Sequence, residues 1–102
     1  MCGFFGVIQK KKPLPEDTLR RAASRVAWRG LDASGVYSGA LCWLAHYRLS
    51  IIDPATGAQP MSDPSGRYVI AYNGELYNYK ELRADMESAG CEFATSSDTE
   101  VF

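Results

Sequence analysis

The sequence predicts an α+β domain built mainly from antiparallel strands, with two helices and the start of a third. Three observations carry this. Short apolar or alternating runs, the mark of strands, recur from Gly3 to Gln9, Leu41 to Ile52, Arg67 to Asn73 and Cys91 to Thr95. Between the second and third runs stand two turn-forming clusters, Asp53-Pro54-Ala55-Thr56-Gly57 and Ser62-Asp63-Pro64-Ser65-Gly66, of the kind that joins antiparallel neighbours. Two other stretches, opening at Pro15 and Asn78, switch to the i, i+3, i+4 recurrence of an amphipathic helix.

The elements follow in order. Phe4, Phe5, Val7 and Ile8 form a largely buried strand that is ended by Lys10-Lys11-Lys12 and Pro13, holding Cys2 at the mouth of a sheet. Pro15, Glu16 and Asp17 start a helix whose apolar stripe is Leu19, Ala22, Ala23 and Val26 and which ends near Arg29-Gly30. Arg29 to Gly35 reads as a loop, its glycines permitting positive φ and Asp32 or Ser34 able to bond nearby backbone.

In the strand after Leu41, Trp43, Ala45 and Tyr47 share a face with Leu41, while Cys42, Leu44, His46 and Arg48 share the other. That second face mixes apolar and cationic groups, so it runs out of the core into a polar pocket. Gln59 is extended before Pro60. The strand from Arg67 sets Tyr68, Ile70 and Tyr72 against Val69, Ala71 and Asn73 and stops at Gly74. Asn78 with Glu81 forms a capping-box pattern ahead of a helix whose stripe is Tyr79, Leu82, Met86 and Ala89 and whose stop is Gly90. Ser97-Asp98-Thr99-Glu100 repeats the pattern and announces a third helix of which Val101 and Phe102 are the beginning. The chain is therefore expected to be the N-terminal part of a longer protein.

Composition narrows the classes of function. At 102 residues, 46% apolar and 23% charged, the chain reads as one soluble globular domain. A formal charge of -1 gives no footprint for nucleic acid, and the three consecutive lysines before Pro13 read as a solvated turn. Three cysteines and no C-x-x-C pair argue against a disulfide framework and for a reducing compartment, with one histidine leaving little for a zinc site. The lysines follow the N-terminal apolar run, the reverse of a signal peptide, and no run approaches the ~20 residues of a membrane span. The expected location is the cytoplasm, with no membrane partner and no metal site.

The chemistry starts at Met1-Cys2-Gly3. With Met1 removed, Cys2 carries a thiol and a free α-amine on one residue. Ordinary pKa values of roughly 7.7 to 8.0 for an α-amine and about 8.5 for a thiol let the amine take the thiol proton near neutral pH. A nucleophile activated by its own N-terminal amine is a known route to acyl transfer. Three further groups sit where strands end or helices begin. Arg48 offers a planar fork for a carboxylate, Asn73 and Gly74 a side-chain amide and an unhindered N–H for an oxyanion, and Asp98 a partner for an ammonium. Each has a plainer reading, as a surface arginine, a turn dipeptide and a capping carboxylate. Together they are what hydrolysis of an amino-acid amide requires, and glutamine is the substrate they suggest.

The strings Met-Cys-Gly at 1 to 3, Arg29-Gly30 with Asp32 and Gly35, His46 through Asp53 as H-Y-R-L-S-I-I-D, Gly57-Ala58-Gln59-Pro60, Tyr72 through Asn78 as Y-N-G-E-L-Y-N, Glu81-Leu82-Arg83 and Ser97-Asp98-Thr99-Glu100 resemble those of the class II glutamine amidotransferases. Within these, the chain looks most like the glutaminase domain of glutamine-hydrolysing asparagine synthetases. The resemblance spans residues 1–102, which would be the N-terminal part of such a domain. It implies an N-terminal nucleophile (Ntn) hydrolase fold, a four-layered αββα sandwich of which this would be about the first half.

By the family pattern Cys2 would form a γ-glutamyl thioester and release ammonia. Arg48 would hold the glutamine carboxylate with Leu49, Ser50, Ile51 and Ile52 lining that wall, Asn73 and Gly74 would form the oxyanion hole, and Glu75 and Asp98 would lie near the α-amino group. The partner implied is a C-terminal synthetase domain of the same chain, which uses ATP and magnesium to activate aspartate; no cofactor is expected in the present part. The family commonly has His-Arg-Gly-Pro-Asp where this chain has Trp28-Arg29-Gly30-Leu31-Asp32, and a glycine at Ala45, departures that bear on substrate subfamily.

Three rival readings are distinguishable. An amidotransferase of the same family could serve a sugar, peptide or secondary-metabolite acceptor. A thiol-protease reading makes His46 the base for Cys2, Cys42 or Cys91. A third is an inactive glutamine-binding or docking module, whose uncovered apolar sheet surface would favour association, a homodimer included.

Overall fold

The computed structural model describes residues 1–49 and 55–102. Strand β1 (Gly3–Ile8) is followed by helix α1 (Glu16–Ala23), a 3-10 segment (Ser24–Arg29), and strands β2 (Ala33–Ser38) and β3 (Cys42–Arg48). A short hairpin of β4 (Met61–Ser62) and β5 (Val69–Ile70) precedes helices α2 (Tyr79–Ser88) and α3 (Asp98–Val101). The architecture is α+β, and every described strand pair is antiparallel.

The three-stranded sheet has the order β1-β3-β2. β3 is its centre, pairing Gly3↔Tyr47 through Ile8↔Cys42 on one side and Ala33↔Arg48 through Ser38↔Trp43 on the other. Because side chains alternate across a strand, Trp43, Ala45 and Tyr47 point one way and Leu44, His46 and Arg48 the other. The first face is the core. Leu19 and Ala23 of α1 lie against Trp43 and Ala45, with Phe5, Val7 and Tyr47 around them, and the Phe5 and Trp43 rings meet edge-on at 6.1 Å. The Trp43 indole donates to Glu16 Oε2 at 2.9 Å, fixing the start of α1 over the sheet. Glu16 in turn pairs with Arg20 at 2.8 Å.

Several local expectations are corrected. The segment expected as a loop to Gly35 contains β2 from Ala33 onward, formed because β3 offers it a full edge of hydrogen-bonding partners. Gly35 is there for space and not for positive φ: a Cβ at this position would stand 2.2 Å from the carbonyl oxygen of Gln59, which crosses the strand at that point. The strand expected from Arg67 to Asn73 is confined to Val69–Ile70, since its partner β4 is only two residues long.

Cys91 to Thr95 is not a strand. Its backbone is satisfied elsewhere, Cys91 N–H by the Met86 carbonyl and the N–H groups of Ala94 and Thr95 by the Glu100 carboxylate. Asn78 precedes α2 as expected but makes no side-chain capping bond. At α3 Ser97 does cap, its hydroxyl accepting from Thr99 N–H at 3.1 Å, whereas Glu100 reaches past the cap residue to Ala94 and Thr95.

The first helix also changes character, tightening to 3-10 geometry after Ala23, and the hairpin turn closes with Gly66 at φ +70°. Asp63 organises that turn by accepting from the N–H groups of Ser65 and Tyr68. The peptide between Gln59 and Pro60 is cis. Ser50 to Pro54, which carry the end of the expected strand and the start of the first turn cluster, lie outside the described residues.

Candidate active site

β3 leaves the core at Arg48, and the site gathers round that end. Cys2 stands one residue before the last β1–β3 pair, so the sheet register brings it level with the strand terminus. Its thiol is held by backbone: Leu49 N–H donates to Sγ at 3.3 Å, and the thiol lies 3.5 Å from the Leu49 carbonyl oxygen. The Cys2 carbonyl accepts from Arg29 Nε at 3.2 Å, with the Arg29 guanidinium 5.3 Å from the Trp28 ring centroid. The loop before β2 presses on the same end. Asp32 N–H donates to the Arg48 carbonyl at 3.0 Å, and a Cβ on Gly30 would fall 2.2 Å from the Tyr47 carbonyl oxygen, so only glycine fits that approach.

Over the His46 face lie two irregular segments, one around Gln59 and one from Tyr72 to Gly74. His46, 1% exposed, uses Nε2 to bond the Tyr72 carbonyl at 3.1 Å. The Tyr72 N–H donates to Gln59 Oε1 at 2.5 Å, while Gln59 Nε2 donates to Thr99 Oγ1 at 3.1 Å. Asp98, buried at the first residue of α3, accepts from Leu76 N–H at 2.9 Å and so ties the segment after Gly74 to that helix. Tyr72 stacks on Phe102 at 5.1 Å.

These contacts enclose a cleft of about 260 Å³. Its lining includes Cys2, Arg48, Leu49, Asn73, Gly74, Glu75 and Asp98, so the described residues named for the glutamine site meet in one place, while His46, Cys42 and Cys91 of the thiol-protease reading are not among them. Ser50, Ile51 and Ile52, named for the same wall, lie outside the described residues. The volume lies just under the ~300–1,000 Å³ of pockets for drug-sized ligands, a scale suited to one small metabolite. Arg48 and Asp98 are both buried, giving the cleft a fixed cation and a fixed anion with a thiol on its wall.

Three residues that sequence reasoning did not assign to the site hold it together: Arg29 on the Cys2 carbonyl, and His46 and Gln59 on Tyr72. None sits in a pattern that announces its partner, because each bond joins segments at least 13 positions apart. His46 also bears on the thiol-protease reading. Its Nε2 is engaged with Tyr72 and its Nδ1 has no partner among the described residues, so it forms a dyad with none of the three cysteines. Burial pushes the imidazole pKa below its ordinary value, outweighing the Tyr72 bond, and the Arg48 charge adds to the lowering. Among the described residues no group of three or more His, Cys, Asp or Glu side chains could hold a metal ion, and no helix is long and apolar enough to cross a membrane.

A thiol that shares a cleft with a buried arginine and a buried aspartate fits a family that works on amino-acid amides, and comparison with known sequences agrees: this chain belongs to the glutamine amidotransferase domain family, whose profile matches residues 1–102. Among individual proteins it is 42% identical to asparagine synthetase [glutamine-hydrolyzing] 1 of Bacillus subtilis and 42% identical to asparagine synthetase B of Escherichia coli. It is 38% identical to the glutamine-hydrolysing asparagine synthetase of Zea mays. Each match covers 99% of this chain but only 17% to 18% of the relative, so the chain spans about a sixth of the length of these proteins.

Proposed function

We propose that this domain hydrolyses glutamine to glutamate and ammonia through a thioester on Cys2. The observation that supports it best is the shared cleft, in which a thiol, a buried arginine, an amide donor and a buried aspartate line one volume of amino-acid size. In this reading Met1 is removed, which turns the Cys2 nitrogen from a peptide amide into a basic amine. That amine takes the thiol proton and the sulfur attacks the side-chain carbonyl carbon of glutamine. Asn73 and the Gly74 N–H stabilise the oxyanion. As the carbon–nitrogen bond breaks, the amine returns the proton to the leaving group, which departs as ammonia. Water, deprotonated by the same amine, then hydrolyses the thioester and restores the thiol. Arg48 holds the α-carboxylate while Asp98 and Glu75 face the α-ammonium, with Leu49 as the adjoining wall.

The wider role follows from the names of the relatives. Residues 1–102 would be the first part of the amidotransferase domain, about half of an αββα sandwich, in a longer cytoplasmic ligase. Ammonia would pass to a synthetase domain of the same protein, where ATP and magnesium serve to activate aspartate for asparagine synthesis; a homodimer is part of the same proposal. No step in the present chain runs through a metal or a nucleotide.

Intact mass spectrometry of the full-length protein tests the reading. After a diazo-ketone glutamine analogue, the species lacking Met1 should gain one adduct on Cys2, and Cys2→Ala should gain none and release no ammonia from glutamine. Ammonia release by Cys2→Ala at the rate of the unmodified protein would refute it.

A further inference from the structure

His46 is a costly residue where it stands. It is 1% exposed, between Phe4 and Gly35 in the register of the sheet, and its Nε2 lies 3.1 Å from the Tyr72 carbonyl oxygen. A carbonyl only accepts, so Nε2 carries the proton and Nδ1 is left as a bare acceptor. That atom is buried and has no partner among the described residues. Leaving a buried polar atom unsatisfied is unfavourable, and an apolar side chain in this position would avoid it. The bond to Tyr72 is what histidine offers in return.

What that bond controls is the peptide joining Tyr72 to Asn73. The Tyr72 carbonyl belongs to the same rigid plane as the Asn73 N–H, so a fixed donor on the oxygen fixes the plane from which Asn73 and Gly74 continue. The preceding peptide is held as well, its N–H on Gln59 Oε1 at 2.5 Å, and Gln59 is itself anchored to Thr99 beside Asp98. Gly35 lets this happen, because its missing Cβ gives room for the Gln59 carbonyl over β2. The segment is thus braced on both sides immediately before Asn73.

We infer that His46 is a positioning residue for the oxyanion donors, setting the Asn73–Gly74 backbone through the Tyr72 carbonyl, with Gln59 as the opposing brace. This rests on the thioester reading above. Its consequence is selective. Glutamine binding depends on Arg48 and Asp98, and alkylation of the thiol by a haloacetamide passes through no oxyanion, so neither needs the brace. Only turnover of the amide does.

The test compares His46→Leu, His46→Gln and the unaltered full-length protein for glutamine-dependent ammonia release and for the rate of Cys2 alkylation by iodoacetamide. His46→Leu should lose about 10- to 100-fold in kcat, less than the ~10²–10³ of deleting an oxyanion donor outright, with KM and alkylation rate within about threefold. His46→Gln, which keeps an N–H able to reach Tyr72, should recover most of kcat. Where His46→Leu does not fold, Gln59→Met should show the same loss in kcat without loss of alkylation. A folded His46→Leu with unchanged kcat overturns the inference alone, as does a fall in alkylation that parallels kcat. An unaltered protein that releases no ammonia overturns the thioester reading and this inference with it.

Discussion

Replacing Gly35 by alanine tests how finely the cleft is built. The added Cβ would stand 2.2 Å from the Gln59 carbonyl oxygen, against an ordinary contact of 3.4 Å or more, and the obstruction is backbone on both sides. Gln59 must therefore retreat from β2 by roughly 1 Å, and displacements of that size near a reacting centre cost about 10²-fold in rate. The same side chain bonds Tyr72 N–H and Thr99, so the shift should reach the oxyanion donors and the Asp98 end together. The cost in stability should be about 1–3 kcal/mol, the usual range for overpacking.

The assay pairs kcat for ammonia release with the urea midpoint. Gly66→Ala is the control: nothing lies within 4 Å of its added Cβ, and at φ +70° it should cost about 1 kcal/mol of stability with activity unchanged. A folded Gly35→Ala protein that turns over within about threefold of the parent would refute the argument that Gln59 transmits the shift.

Arg48→Lys should raise the KM for glutamine about 10- to 100-fold with a smaller effect on kcat, because an ammonium cannot reproduce the planar fork on a carboxylate; steady-state kinetics separates the two. Trp43→Ala should destabilise the fold by about 3–5 kcal/mol, read as a fall in the unfolding midpoint, while Trp43→Phe keeps the ring and loses chiefly the bond to Glu16, about 1 kcal/mol. For His46, whose pKa the fold lowers from 6.5, the unfolded chain binds the proton more readily. Its contribution to stability is therefore complete above about pH 6.5 and lost as pH falls through the folded value. Urea titrations at stepped pH should show that loss in the parent and a weaker one in His46→Gln.

Three of the elements that announced themselves in sequence did so through side chains that make the core, whereas α2 was legible from its stripe and stop signal although none of its residues is buried. β1, β3 and α1 carry Phe5, Val7, Trp43, Ala45, Leu19 and Ala23, and their apolar pattern with the start and stop residues around it locates them. β2 was hidden because Ala33-Ser34-Gly35-Val36-Tyr37-Ser38 has little apolar contrast and exists as a strand through its pairing with β3. Cys91 to Thr95 erred the other way, its alternation suggesting a strand where the N–H groups instead bond the Met86 carbonyl and the Glu100 carboxylate. The site divides along the same line. Of the groups that would act on substrate, Cys2, Arg48 and Asp98 sit at element ends and Asn73 and Gly74 in the irregular stretch between β5 and α2, a turn dipeptide that was legible as such. Groups that act on other protein groups, Arg29, His46 and Gln59, are defined by contacts between distant segments, which one sequence does not display.

The position of β3 between two paired neighbours has a consequence for motion. Protection from hydrogen exchange rises with the number of bonded flanks, so the amides of Trp43 to Arg48 should be the last in the described chain to exchange, while the two-residue hairpin of β4 and β5 exchanges early. Cys2, the Asp32 loop and Arg48 all hang from this one slow strand. Opening that exposes its amides should also scatter those three groups, so that on warming the cleft and the core would be lost in a single event rather than in sequence.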